Sequence, residues 1–450
     1  MSNDNLIVNR IKMNLSSSAD LNVQHVDNGS FEMDVLFLGS MIEAQQIQSF
    51  VSTPLLRSDS FERFKTAFLA FGAESIEDVS EIVPRMLNGY VIVVYYSEVY
   101  GLPIKKALND SPEATQTENT VLGPNKSFTE NIMVNMAIVR SRYFRKELSS
   151  QEFDIGSVTK TSVMMMYDAS FANEELLNKV RRRLSEIEVD VLQSAGQLEK
   201  LINKQKYSLF PTMMITERPD RVVLNLAHGK IVLFIQGTPF ALILPAVFFD
   251  FMAAMDDLYQ SFWISRALVV LRYIGLFITI LLPAIYVSIV SYNPEFFRVQ
   301  LTLSISGSRA AVPYPSYVEV AIMLFMIEAL MEASLRLPKF IGSTATTVGG
   351  LILGQAAQQA GLVSSIMIII TSAVAISNFV IPINSMSFAM RFVKYILILL
   401  ASFFGLIGTM AGLFMLIGYL ASLRSFGEPY LKLFIGERNV SFPKSEGDTD

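Results

Sequence analysis

The chain has 450 residues, 51% of them hydrophobic and 17% charged, with a mean hydropathy of +0.41 and a net charge of −5. That balance is more apolar than an ordinary soluble protein and gives no basis for nucleic-acid binding, which needs a basic surface. The chain has no cysteine, which excludes disulfides, thiolate chemistry and cysteine-ligated metals; two isolated histidines, His25 and His228, are poor material for a histidine metal site.

Met1 to Ser30 is polar and lacks the short apolar core and small-residue cleavage site of a secretory signal, so a cytoplasmic N-terminal domain is expected. As far as about Gln260 acidic, basic and apolar residues mix as they do in water-soluble domains. The runs FEMDVLFL (Phe31 to Leu38) and YVIVVYY (Tyr90 to Tyr96) suit strands, with helical spacing between them. The polar interval Asn109 to Lys126 divides this region into two lobes, 1–110 and 111–260. Ser127, Phe128, Thr129 and Glu130 have the order of a capping box and predict a helix from Phe128 to Leu148. Asn173 to Lys204 reads as a long amphipathic segment whose Arg181 to Arg183 form a solvated face. Ile231 to Phe251 is apolar but broken by Gln236, Gly237, Pro239 and Pro245. It predicts a strand and hairpin running into an interfacial helix instead of a membrane span.

The second half changes character. Phe340 to Met390 is 51 residues without a formal charge, and Tyr395 to Leu423 is a second uncharged run. A bilayer-spanning helix needs about 20 apolar residues, so a transmembrane domain is expected over 261–423, with spans near 268–291, 317–335, 362–380 and 395–420, and a cytoplasmic tail, 424–450. The expected fold is a membrane α-helical bundle of about four spans behind an N-terminal soluble α/β (α+β) cytoplasmic domain of two lobes. An even number of spans keeps Arg336, Lys339, Arg424 and Lys432 inside, as the positive-inside tendency favours, while Arg298, Arg309, Arg391 and Lys394 lie near the other face.

Between the second and third spans, STATTVGGLILGQAAQQAG (Ser343 to Gly361) is rich in small and polar residues. Such a piece belongs at a helix–helix interface, in a re-entrant half-helix over 343–358, or along a water-filled path. Glu328, Glu332 and Arg336 succeed one another at four-residue spacing on one helix face, where Glu332 can pair with Arg336. Carboxylates at bilayer depth mark a pathway or act as neutralised anchors. The pore or gating candidates are Gln355, Gln358, Leu362, Glu328 and Glu332; the helix-packing candidates are Gly349, Gly350, Gly354, Ala356 and Gly361. Catalytic motifs are missing: there is no phosphate loop, metal-ligand cluster or nucleophile elbow, and the adjacent Asp256 and Asp257 point about 100° apart on a helix and cannot share a proton. Neither an enzyme nor a cofactor is expected.

Six blocks carry a resemblance: SFTENIMVNMAIVR (Ser127 to Arg140), TERPDRV (Thr216 to Val222), GTPFALILP (Gly237 to Pro245), VPYPSYVE (Val312 to Glu319), EASLRLPKFIG (Glu332 to Gly342) and VGGLILGQAAQQAG (Val348 to Gly361). In this order they resemble the A subunit of spore germinant receptors, the GerA family, with a related paralogue of the dipicolinic-acid release operon as the rival identity. The resemblance implies a homo-oligomer in the inner membrane of the spore. It would work with a transporter-like B subunit and a lipoprotein C subunit, and would conduct monovalent cations when nutrient binds. A non-conducting scaffold that passes the signal on is the alternative. Two departures stand out. Leu122 to Ser127 replaces a strongly basic run, and Gln236 stands where an acidic residue is usual.

Overall fold

The computed structural model describes residues 3–105, 114–115, 117–118, 120–203, 208–336 and 339–432, with backbone alone at 3–5, 44, 335–336, 339–347 and 351. Two five-stranded antiparallel sheets lie on either side of the polar interval. The first has the order β1-β2-β4-β5-β3, with β1 Leu21–Asp27, β2 Glu32–Leu38, β3 Glu74–Ser75, β4 Tyr90–Tyr95 and β5 Glu98–Pro103. The second has the order β6-β7-β9-β10-β8, with β6 Leu148–Ile155, β7 Thr161–Asp168, β8 Met214–Thr216, β9 Ile231–Ile235 and β10 Ala241–Leu244.

All five residues of β9 are buried, and their alternation explains why. Val232 and Phe234 face one core with Met164, Met166, Ala241 and Ile243. Ile231, Leu233 and Ile235 face another with Val163, Met165 and Leu242. A strand covered on both faces reads as a continuous apolar run, and β9 with β10 forms the strand and hairpin expected from Ile231 onward. Helices α1 Ile132–Arg142 and α3 Pro219–Ala227 contribute to the first core; α2 Glu174–Ser185 and the short helix Ala195–Ile202 contribute to the second.

Three local expectations change. Helix α1 starts later and ends earlier than the predicted Phe128 to Leu148. Asn131 is the cap, its side chain accepting from Met133 N at 3.0 Å, while Phe128 N donates to Glu217 O at 2.9 Å and so is committed elsewhere. The amphipathic segment from Asn173 is two helices. Its middle is pulled away by Ser157 N to Val189 O, 2.9 Å, and Val158 N to Asp190 O, 3.0 Å. Of the three arginines only Arg182 is exposed. Arg181 donates to Gln151 Oε1 and the Tyr167 hydroxyl, both at 2.9 Å, and Arg183 lies half-buried over Phe426.

The C-terminal half is helical: α4 Phe262–Tyr292, α5 Val299–Arg309, α6 Ser316–Arg336, α7 Lys339–Gln359, α8 Ser365–Phe379 and α9 Asn384–Ser422. By length and composition, α4 and α9 are long and apolar enough to cross a membrane. Contacts at the helix ends give the directions. At the base of α4, Arg272 meets Asp257 of the soluble domain, and Gly275 packs on Ser377 and Val380 at the end of α8. At the far end, Ser291 hydrogen-bonds Ser316 as α6 begins, and Glu319 accepts from Ser364 N at 2.6 Å as α8 begins. Segment 343–358 is therefore part of a full 21-residue helix, α7, running antiparallel to its neighbours.

Helix α9 folds back on itself. Gly405 has φ 57° and ψ −139°. A Cβ placed on Gly412 would lie 2.5 Å from Leu397 Cδ2, and one on Gly408 2.2 Å from the Leu400 carbonyl oxygen. In a straight helix residues 397 and 412 would stand about 22 Å apart. Residues 395–420, expected as a single span, thus lie on two arms, 384–404 and 406–422, and with α4, α6, α7 and α8 they make six antiparallel segments among the described residues. Ser288 and Thr409 hydroxyls bond at 2.8 Å where α4 meets the return arm, and buried Ala284, Ala401, Gly408 and Gly412 let the backbones approach. The chain then re-enters the soluble domain. Ser425 Oγ donates to Thr212 O at 2.7 Å, and the fully buried Tyr430 packs on Phe248 and Phe251.

Candidate functional site

The motif from Thr216 to Val222 uses its charges on a strap that joins the lobes. Pro219 opens α3, where its missing N–H costs nothing and its fixed φ suits the first helical position. Just before it, Glu217 Oε1 accepts from Thr117 N at 2.5 Å, Thr117 Oγ1 at 2.9 Å and Glu118 N at 3.2 Å. Arg218, with no exposed surface, donates to Glu118 O at 2.9 Å, Thr120 Oγ1 at 3.1 Å and Pro124 O at 3.1 Å, and pairs with Asp220 at 2.6 Å. Arg221 meets Glu118 at 2.9 Å and the Ala253 carbonyl at 3.3 Å. A buried guanidinium is tolerated only when several acceptors surround it, and here the acceptors come from strap, motif and the approach to α4.

The network continues into the helical bundle. Tyr259 donates to Asp220 at 2.8 Å, Asp256 accepts from Val121 N at 3.0 Å, and Asp257 holds both terminal nitrogens of Arg272 on α4 at 2.5 Å. Arg272 also donates to Met252 O at 3.1 Å. The adjacent aspartates do separate jobs, one on the strap and one on the helix. Burial would raise the Asp220 pKa, but hydrogen bonds from Arg218 and Tyr259 outweigh it and hold the group below the ordinary carboxylate value. Burial, then the bond to Asp220, pushes the Tyr259 hydroxyl up to about 12. Both groups keep their charge state through neutral pH, so the network is a fixed strut from interlobe strap to α4.

Two clusters of charged side chains in the bundle are paired among the described residues. Glu328 of α6 lies 2.7 Å from Arg391 and 3.2 Å from Lys394, both on the first arm of α9, and Arg391 stacks 4.2 Å above the Phe388 ring. One carboxylate between two cations leaves a local excess of one positive charge, the opposite of a cation-attracting ring. The sequence contained a signal for this cluster: two cations three residues apart, interrupting uncharged chain, opposite a single deep carboxylate. At the far end Glu319 is fully buried against Ser364 and within 3.3 Å of Arg309.

The predicted pore and packing residues separate into two groups. Gln355, Ala356 and Gln358 are exposed, with Gln358 donating to Ser365 Oγ at 3.0 Å; Leu362 is half-buried and Ala357 buried. With Val348, Ile352 and Gln359, also exposed, Gln355 forms a stripe at spacings of four, three and four along the outer face of α7. Gly349 and Gly350 face inward, where a Cβ on either would lie 3.3 Å from a Leu330 methyl of α6, while Gly354 has open space around it. Gly361 ends α7: its φ is +67°, and Leu362 N donates back to Ala357 O at 2.9 Å. Glu332 is exposed; its expected partner, the Arg336 side chain, lies outside the described residues. Among the described residues no group of three or more His, Asp or Glu side chains could hold a metal.

A family model described as Bacillus/Clostridium GerA spore germination protein matches residues 9–443. The uncharacterized membrane protein YfkQ of Bacillus subtilis (strain 168) is 34% identical, over 88% of this chain and 79% of its own. Spore germination protein B1 of the same strain is 34% identical, over 88% of this chain and 84% of its own. Among solved structures, the N-terminal domain of the A subunit of the Bacillus megaterium spore germinant receptor GerK3 is 27% identical, covering 54% of this chain and 94% of that one with a TM-score of 0.42.

Proposed function

The chain belongs to the GerA family of spore germination proteins, and from that premise we propose that it is the A subunit of a nutrient germinant receptor, oligomerising in the spore inner membrane into a germinant-gated channel for monovalent cations. The observation that carries the channel reading is the outer stripe of α7. Polar side chains cannot be left facing lipid tails, yet Gln355, Gln358 and Gln359 are exposed on a single chain whose other outward bundle residues include Phe277, Phe392, Phe403, Ile407 and Phe414. The spacing of the stripe is that of a coiled-coil seam, so neighbouring copies would cover it and their glutamines would border a shared axis. A transporter-like B subunit would hold the nutrient, a lipoprotein C subunit would complete the complex, and the strut from strap to Arg272 would carry the signal to α4.

In this reading six membrane crossings return the tail to the side of the soluble domain, which lies in the cytoplasm. Arg391 and Lys394 cease to contradict the positive-inside tendency, because they sit within the bundle against Glu328 and not in an outer loop. The same cluster favours a second reading, a non-conducting scaffold, since the deepest carboxylate is already neutralised. Reconstitution of the full chain, alone and with its receptor subunits, in liposomes loaded with a potassium-sensitive dye separates the two. Cation flux that falls in Gln355→Leu, with copies still cross-linking through a cysteine introduced at Gln359, supports the channel. Sealed vesicles from cross-linked oligomers in every subunit combination would leave the scaffold.

A further inference from the structure

A second polar site lies where the bundle rejoins the soluble domain. Arg424 and Ser425 form one side of a tight hairpin with Glu428 and Pro429, two residues past the end of α9. Phe426 and Gly427 make its turn at positive φ, 53° and 108°. Helix α2 packs beneath: Lys179 Nζ donates to Phe426 O at 3.0 Å, and the Arg183 guanidinium lies 4.6 Å over the Phe426 ring. Between them opens a cleft of about 200 Å³ lined by Lys179, Arg183, Asn203, Thr212, Arg424 and Phe426.

Three cations converge on this cleft, and among the described residues none of them has a carboxylate within ion-pair distance. An independent observation points to a ligand. Thr212, which lines the cleft, is 2% exposed, and among the described residues its hydroxyl has no hydrogen-bond partner; the buried Arg183 Nε likewise lacks one, while Arg183 Nη1 donates to Ile202 O at 3.1 Å. Buried donors left unmade are costly, and a group with several acceptor oxygens would satisfy a hydroxyl, a guanidinium and an ammonium at once. Burial, then the neighbouring Arg182, pulls the Arg183 pKa down, so an anion beside it would favour its charged form. The adjoining cleft carries Glu175 and Glu428, and Glu428 is already engaged by Lys432 at 2.8 Å. That leaves the Arg424 end uniformly basic.

The position selects the source of the anion. Tyr419 in the last turns of α9 hydrogen-bonds Leu209 N at 3.3 Å and packs on Phe210, so the wall containing Thr212 sits at the foot of the membrane helices. We propose that this cleft binds a phosphate ester, the headgroup phosphate of an anionic membrane lipid, with Arg424 and Lys179 contributing charge and Thr212 and Arg183 completing its hydrogen bonds. Basic side chains just beyond a membrane helix meet anionic headgroups at this depth.

Native mass spectrometry of the full chain, released from detergent with phosphatidylglycerol or phosphatidylcholine, tests it. The wild type retains phosphatidylglycerol in preference to phosphatidylcholine, and the double variant Arg424→Gln with Thr212→Val loses that preference by roughly tenfold, while Arg424→Lys keeps it. A parallel melting series with inorganic phosphate and glycerol phosphate identifies the source. A rise in melting temperature in wild type but not in the double variant, without lipid preference, assigns the site to a soluble phosphate ester. Arg424→Gln alone removes an exposed side chain, so the fold is kept if the full double variant melts early. Equal phosphatidylglycerol retention and equal phosphate response in wild type and in Arg424→Gln would overturn the proposal.

Discussion

A glycine-to-alanine series along α9 tests the reversal at Gly405, because the two possible shapes of this segment predict opposite signs. In one uninterrupted helix each replacement would gain the helix propensity of alanine, about 0.8–1 kcal/mol at an interior position. In the folded-back structure the four sites differ. At Gly408 a Cβ would meet the Leu400 carbonyl oxygen at 2.2 Å and Phe404 Cβ at 2.8 Å. Backbone atoms cannot step aside, so the arms must part by about 1 Å, and the loss is on the order of 3 kcal/mol or more. At Gly405 the strain is conformational, since φ 57° with ψ −139° suits glycine alone, and the Cβ would also lie 3.0 Å from the Tyr292 ring; about 2 kcal/mol is expected. At Gly412 the obstacles are Leu397 and Leu400 methyl ends, at 2.5 and 2.8 Å, which can rotate for about 1 kcal/mol. Gly418 has nothing within 4 Å, so its replacement is neutral or stabilising. The assay is the melting temperature of the detergent-solubilised full chain. Because the chain has no native cysteine, spin labels at Leu397 and Gly418 can be added without background. They should report a separation far below the roughly 31 Å of a straight helix. A stable Gly408→Ala variant, or the long separation, would refute the hairpin.

Asp20 and Arg140 join the first lobe to α1 across 2.7 Å with 1% exposure each, so Asp20→Ala should cost about 3–5 kcal/mol by stranding the guanidinium, while Asp20→Leu with Arg140→Met recovers much of it; chemical denaturation of the full chain in detergent reads both. Burial pushes the Glu199 carboxyl up to about 7, against an ordinary 4.5, with Lys200 opposing. A folded-state pKa above the unfolded one gives stability that is complete below about pH 4.5 and is lost as pH rises to about 7. Glu199→Gln should therefore be the more stable form at pH 8, by about 2–3 kcal/mol, and show no advantage at pH 4, as melting curves at the two values would reveal. Gln236 Oε1 accepts from Ile132 N at 3.0 Å where α1 begins, so Gln236→Glu should place a carboxylate at a helix N-terminus and raise stability by about 0.3–1 kcal/mol; an unchanged melting temperature at low salt would contradict that geometry.

The sequence alone revealed the division between a mixed-charge half and an uncharged helical half, since hydropathy and charge depend on composition along the chain. It also located the strands over Phe31 to Leu38 and Tyr90 to Tyr96, where β-branched and aromatic residues concentrate. Capping was less legible: Ser127 to Glu130 had the right residue order, yet Phe128 N was taken by Glu217, a partner distant in sequence. The arginines of Arg181 to Arg183 looked solvated because helical periodicity says which side of a helix is polar and not what lies against it. Only the tertiary structure decided that α9 is two arms. A reversal at a single glycine inserts no polar loop into the uncharged run, so a hydropathy window passes over it unbroken. For the same reason the union of Glu328 with Arg391 and Lys394 emerged only when α6 and α9 were packed together: one-dimensional patterns record which groups are buried, while the partner that makes burial tolerable is chosen in three dimensions.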